Sequence, residues 1–96
     1  LERSVEIAVY RIIQELVGNV LKHAKASELS IDVTRSPGRL SVIVSDNGIG
    51  FDTKIPAEGM GLGNVRSRAA ALGGKVQVDS STGKGTTVSM ECPVVE

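Results

Sequence analysis

The chain has 96 residues, which is enough for one domain with a single hydrophobic core. Its 11 basic and 11 acidic residues give a formal net charge of zero, so composition offers no general electrostatic case for nucleic-acid or membrane-surface binding. Cys92 is the only cysteine, which excludes an internal disulfide and favours a reducing compartment.

The first predicted element is an amphipathic helix over residues 2–24, in which apolar residues recur at steps of three and four. The other side of this helix carries a polar stripe of Glu15, Asn19, Lys22 and His23. Polar stripes are usually solvated faces. Asn19 and the neighbouring Gly18 argue against that interpretation, because both lower helix propensity where a solvated face would not need them.

The polar stripe offers chemistry suited to a metal and phosphate. The Asn19 amide oxygen is a ligand type that magnesium accepts, and Glu15 can orient a metal-bound water or accept a proton. Lys22 can contact phosphate oxygens as a point charge. For His23, a structural hydrogen bond and a functional role both remain open.

The rest of the chain predicts two hairpins and a second helix. The expected strands cover residues 28–34, 39–45, 75–80 and 85–92, and the first of them alternates as a half-buried strand does. A loop is expected over 51–59 and a helix over about 62–72, ended by Gly73-Gly74. This order predicts an α+β fold with helices packed on one face of a mainly antiparallel sheet.

Asp46 ends the second predicted strand and is followed by Asn47-Gly48-Ile49-Gly50. One interpretation is a local turn, in which the carboxylate accepts a hydrogen bond from its own downstream backbone. The other is an acceptor for the exocyclic amine of an adenine base, with the glycines letting the chain turn beneath the base. The residues alone leave both open.

A second glycine cluster, Gly59, Gly61 and Gly63, leads into the second predicted helix. Backbone N–H groups and the positive dipole end at a helix start favour anions such as phosphate. A flexible linker is the alternative. Neither the P-loop pattern nor the dinucleotide-binding pattern fits the glycines of this chain.

Together these segments resemble the ATP-binding catalytic domain of sensor histidine kinases, in the GHKL group that includes gyrase, Hsp90 and MutL. Residues 14–24 resemble the family's N box, 46–51 its G1 box and 59–63 its G2 box, and Gly85-Thr86 resembles its closing motif. Tyr10-Arg11-Ile12, Lys22-His23-Ala24 and Gly50-Phe51-Asp52 are most similar to the NarL-type subfamily, associated with HisKA_3 dimerisation domains.

The resemblance implies a Bergerat fold, a two-layer α/β sandwich with a mixed, mainly antiparallel sheet, formed by residues 1–96 as one domain. It implies that Asp46 binds adenine with Thr86 behind it, that Asn19 holds Mg²⁺, and that Glu15 is catalytic. Lys22 and His23 would lie near the phosphates or ribose. The pocket and its lid would be shaped by Gly48, Gly50, Gly59, Gly61, Leu62 and Gly63.

The implied function is to bind Mg-ATP and to donate the γ-phosphate to a histidine on a separate dimerisation-phosphoacceptor domain, with a response regulator downstream. That domain is not found in these 96 residues, so we expect a monomeric fragment of a homodimeric kinase. We expect this fragment to lack autophosphorylation and to lie on the cytoplasmic side, whether or not the full-length protein is anchored in a membrane. Two alternatives remain: a serine kinase of the anti-sigma-factor type, which shares these boxes, and a nucleotide-sensing module without turnover.

Overall fold

The computed structural model describes residues 3–50 and 62–94, which form a two-layer α+β sandwich. In chain order the elements are α1 (Arg3–Asn19), a π-helical turn (Val20–Ala24), β1 (Leu29–Ser36), β2 (Arg39–Asp46), α2 (Leu62–Ala71), β3 (Lys75–Ser80) and β4 (Thr86–Pro93). The loop predicted over 51–59 lies outside the described residues. No helix in the described part of the chain is long and apolar enough to cross a membrane.

The described strands form one four-stranded sheet in the order β1-β2-β4-β3, and its three pairings are all antiparallel. The two hairpins therefore meet along β2 and β4. Cross-strand partners in this central pairing include Leu40 with Cys92 and Val42 with Met90. The structure confirms the predicted fold class.

The hydrophobic core lies between one face of this sheet and the two helices. In antiparallel strands, directly opposite residues share a face, so alternate residues of β2 and β4 line one surface. The buried core consists of Leu40, Val42, Val44, Val88, Met90 and Cys92 from the sheet and Val9, Ile12, Leu16, Val65 and Ala69 from the helices. Both helices thus cover the same face of the sheet, as predicted.

Strand β1 differs from the prediction in its burial. Ile31 and Val33 stand opposite the buried Val44 and Val42, yet they remain 44% and 54% exposed. All eight residues of β1 are exposed. The predicted half-buried strand is wrong on this point, because the helices cover β2 and β4 and do not extend over β1.

The end of α2 follows the expectation from Gly73-Gly74. Gly73 adopts a left-handed conformation with φ of 74°, which glycine reaches without a Cβ penalty. The Gly73 N–H donates to the Ala70 carbonyl at 2.9 Å, and the Gly74 N–H donates to the Ala69 carbonyl at 2.8 Å. This pair of bonds is the Schellman arrangement, and it satisfies carbonyls that the helix end would leave without partners.

The end of the first helix departs from the prediction of one α-helix to residue 24. Regular α-helix stops at Asn19, and the next five residues form the π turn. Leu21, whose apolar character fitted the helical period, is 79% exposed there. A π turn holds more residues per turn than an α-helix, so it rotates the following side chains away from the α-helical face.

Candidate functional site

The candidate site begins at Asp46, the last residue of β2. Side chains alternate along a strand, so Asp46 lies on the same helix-covered face as Val42 and Val44. Its carboxylate is half-buried, and Oδ1 accepts a hydrogen bond from the Gly48 N–H at 2.8 Å. The local turn is therefore present. It fixes the orientation of the carboxylate and is compatible with a second acceptor role for the same group.

On the helix layer, Asn19 ends a buried apolar row, as Asp46 does on β2. It follows the buried Ile12 and Leu16 at steps of four and three, so it prolongs the core-facing stripe of α1 with a polar residue. Asn19 and Glu15, one turn earlier, are both half-buried. The apolar rows of the helix and of β2 thus each end in half-buried polar groups.

A contact between the loop after β2 and the end of the π turn connects the strand that carries Asp46 to the helix that carries Asn19. The Ile49 N–H donates to the Ala24 carbonyl oxygen at 2.7 Å. Gly48 is buried against the same residue: a Cβ added there would lie 2.7 Å from the Ala24 carbonyl carbon and 2.8 Å from its Cβ. Glycine at position 48 is what lets the loop approach the helix end so closely.

The turn between β3 and β4 closes the other side of this loop. Gly50 and Gly85 both have positive φ, of 63° and 79°. A Cβ on Gly50 would lie 2.9 Å from the Gly85 carbonyl oxygen, and one on Gly85 would lie 3.0 Å from the Asp46 carbonyl carbon. The Gly83 N–H also donates to the Ile49 carbonyl at 2.5 Å. The loop is therefore held between the helix end and the β3–β4 turn.

Thr86 is the direct cross-strand partner of Asp46. Its hydroxyl lies 2.8 Å from the Ser80 hydroxyl, which donates its proton to the Gly85 carbonyl at 3.1 Å. Since a hydroxyl has one proton, Thr86 is the donor to Ser80. These hydrogen bonds stabilise the β3–β4 turn, and the predicted role of Thr86 in supporting Asp46 stays a prediction.

The remaining predicted residues are divided between described and undescribed parts of the chain. Lys22 lies in the π turn and is exposed, so the single α-helical stripe predicted from Glu15 to His23 ends at Asn19. The side chain of His23, and all of Gly59 and Gly61, lie outside what the structure describes. Leu62 opens α2 and packs against the core, and Gly63 lies in the first helical turn.

Sequence reasoning missed the part played by Asn47. Its Oδ1 accepts hydrogen bonds from the Ser27 and Glu28 N–H groups at 3.0 and 2.9 Å, and its Nδ2 donates to the Ser27 hydroxyl at 2.9 Å. The available signal was an asparagine between a strand end and a glycine, a position where such side chains often bind backbone. The partners, 19 and 20 residues earlier, leave no local trace in the sequence.

The donor set at this corner suits a nucleotide with a hard cation. Asn19 and Glu15 present amide and carboxylate oxygens, the ligand types that Mg²⁺ prefers. In the described residues, no three His, Cys, Asp or Glu side chains lie together as a transition-metal site would require. Asp46 supplies an oriented acceptor, held in place by the Gly48 N–H.

Known proteins place the chain in a family. The family model described as histidine kinase-, DNA gyrase B-, and HSP90-like ATPase matches residues 4–96, and the chain belongs to that family. The sensor histidine kinase LiaS of Bacillus subtilis (strain 168) is 35% identical over 95 residues, covering 98% of this chain. The chain spans 26% of the length of LiaS.

Solved structures agree on the fold. The histidine kinase domain of the blue-light activated kinase from Erythrobacter litoralis EL346 has a TM-score of 0.77 at 24% identity, covering 90% of this chain and 43% of that one. Full-length ShkA, crystallised in complex with AMPPNP, has a TM-score of 0.73 at 28% identity, covering 90% of this chain and 21% of that one.

Proposed function

We propose that this domain binds Mg-ATP and presents the γ-phosphate to a histidine on a dimerisation-phosphoacceptor domain, as the catalytic part of a sensor histidine kinase. The observation that carries the proposal is the contact that ties the loop after Asp46 to the end of the helix that carries Asn19. Asp46 at the end of β2 and Asn19 at the end of α1 lie on facing layers, joined through the contact of Gly48 and Ile49 with Ala24. The adenine and phosphate ends of one nucleotide need such a pair of groups.

At the adenine end, Asp46 is the acceptor. The Gly48 N–H bond to Oδ1 holds the carboxylate in one orientation, and the other carboxylate oxygen accepts from the exocyclic amine of adenine. A hydrogen bond to a charged acceptor is stronger than one between neutral groups, which suits recognition of the base by a single side chain.

At the phosphate end, Asn19 holds Mg²⁺ and Glu15 orients water or accepts a proton, while Lys22 and His23 lie near the phosphates or ribose. When bound, the metal neutralises phosphate charge, and phosphoryl transfer depends mainly on positioning and on that neutralisation. Gly50, Gly59, Gly61, Leu62 and Gly63 shape the pocket and its lid, and Thr86 supports the strand behind Asp46.

Relatives support the histidine kinase assignment over the alternatives. LiaS is a sensor histidine kinase, and ShkA binds AMPPNP, an ATP analogue, at 28% identity to this chain. Both are several times longer than this chain, so the acceptor domain, the downstream response regulator and the homodimeric state of the whole protein are part of the proposal. Membership of the NarL-type subfamily stays a prediction.

The proposal is tested by calorimetric titration of the protein with ADP, with and without Mg²⁺, beside the variant Asp46→Asn. Asparagine keeps the shape of the side chain and removes the charge of the acceptor. Loss of one hydrogen bond to a charged group costs about 1.5–3 kcal/mol, so we expect affinity about 10- to 100-fold weaker. Asp32→Asn, on the exposed strand β1, is the matched control and should bind as the wild type does.

Saturable binding that magnesium strengthens and Asp46→Asn loses would support both ends of the site. Equal affinity of wild type and Asp46→Asn would overturn the role of Asp46. Absence of binding by a folded wild-type protein would overturn the proposed function as a whole.

A further inference from the structure

We infer that Asn47 is a positioning residue that sets the spacing between the adenine end and the phosphate end of the site. This inference rests on the proposed function and gives a role to a side chain that would not touch the nucleotide. Asn47 follows Asp46 directly, and its carboxamide makes three hydrogen bonds to the connection between the π turn and β1.

The carboxamide continues the strand pairing after the backbone has turned away. The last pair of the β1–β2 ladder is Leu29 with Asp46, and the Asn47 N–H still reaches the Glu28 carbonyl at 3.3 Å. Beyond this point Oδ1 of Asn47 accepts from the N–H groups of Ser27 and Glu28, in the place that a further strand residue would take. The backbone of Gly48 is thereby left to turn toward Ala24.

Three successive residues after Asp46 therefore hold one short stretch, residues 24–28. Asn47 binds Ser27 and Glu28, while Gly48 packs on Ala24 and Ile49 donates to its carbonyl. Residue 24 ends the helix that carries Asn19 and Glu15. Release of the Asn47 carboxamide would loosen the connection on which the position of this helix end depends, while the Gly48 bond would still orient the Asp46 carboxylate.

The chemistry of the three bonds selects the test variants. Asn47→Ala removes all of them. Asn47→Asp keeps an oxygen that accepts from the two backbone N–H groups, and its second oxygen can accept from the Ser27 hydroxyl where the amide donated to it. Ser27→Ala removes only the bond between the amide and the Ser27 hydroxyl, at an exposed position where loss of the hydroxyl leaves the fold intact.

The experiment compares Mg-ADP with adenosine for wild type and the three variants, with thermal unfolding measured in parallel. Adenosine carries the base and no phosphate, so it reports on the Asp46 end. We expect Asn47→Ala to weaken Mg-ADP about 10-fold and adenosine less than about 2-fold, since misplacement of the groups that position a ligand is costly. Asn47→Asp and Ser27→Ala should each stay within about 3-fold of wild type for Mg-ADP, since both variants keep the two hydrogen bonds from the Ser27 and Glu28 N–H groups.

Selective loss of Mg-ADP affinity in Asn47→Ala, with rescue in Asn47→Asp, supports the positioning role. Equal losses for the two ligands, or no loss for either, overturn it, whatever the change in melting temperature. Should Asn47→Ala fail to fold, Ser27→Ala decides: a loss of Mg-ADP affinity that exceeds the loss for adenosine supports the role, and equal losses or no loss for the two ligands overturn it. If wild type binds neither ligand, the proposed function has failed instead.

Discussion

Replacing Gly48 with alanine should separate the loop after β2 from the helix end that it contacts. The new methyl carbon would lie 2.7 Å from the Ala24 carbonyl carbon and 2.8 Å from the Ala24 Cβ. Because the nearest atoms belong to the backbone or to a one-carbon side chain, no rotamer change can relieve the overlap. The loop or the π turn must move, and the Ile49 hydrogen bond to Ala24 is then lost.

Two contributions set the size of the expected destabilisation: the overlap of the new methyl group with Ala24 and the loss of the Ile49 hydrogen bond. Forcing one extra methyl group into a packed site costs typically about 1–3 kcal/mol. Loss of the hydrogen bond between Ile49 and Ala24 costs about 1 kcal/mol more. A destabilisation of about 2–4 kcal/mol corresponds to a fall in melting temperature of roughly 8–30 °C for a domain of this size.

The measurement is thermal and guanidinium unfolding followed by circular dichroism, with Gly18→Ala as the matched control. A Cβ on Gly18 would meet no atom within 4 Å, and Gly18 lies in the last turn of α1, which continues into the π turn. The same substitution there should stabilise the protein by about 0.5–1 kcal/mol, because alanine has the higher helix propensity. A wild-type melting temperature for Gly48→Ala, or equal shifts for the two variants, would refute the close approach of loop and helix.

Two further predictions concern the core. Ile12 is fully buried, so Ile12→Ala should lower the free energy of unfolding by about 2–5 kcal/mol and Ile12→Val by about 0.5–1.5 kcal/mol. Chemical denaturation measures both losses, and equal losses for the two variants would contradict the packing around Ile12. Burial raises the pKa of the Cys92 thiol above its usual 9.0, so native protein should react with iodoacetamide far more slowly than unfolded protein at pH 8. Fast labelling of the native protein would contradict the burial of Cys92. Because the pKa of the thiol is higher in the folded than in the unfolded state, the contribution of the protonated thiol to stability is complete below pH 9.0 and declines as the pH rises through the folded-state pKa.

Elements whose identity or end depends on local sequence patterns could be predicted from the sequence. The strand expected over residues 39–45 is β2, and Gly73-Gly74 marked the end of α2, because strand burial with period two and a left-handed glycine act within a few residues. The prediction of a site at Asp46 and the glycines beside it rests on the same kind of local pattern. Those motifs have a characteristic local spacing.

Features that depend on distant neighbours could not be predicted. The π turn is invisible to apolar periodicity, since Val20 and Leu21 fit an α-helix equally well. The exposure of β1 depends on how far the helices extend across the sheet, which strand alternation does not report. The contacts of Asn47 with Ser27 and Glu28 arise only when the first helix and the first hairpin are brought together.

The anchoring of the loop after β2 also limits how its length can change. Asn47 binds Ser27 and Glu28, and Gly48 and Ile49 both contact Ala24, so an inserted or deleted residue would shift at least one of these contacts out of place. Natural and engineered variants of this protein should therefore keep the same number of residues between Asp46 and Gly50.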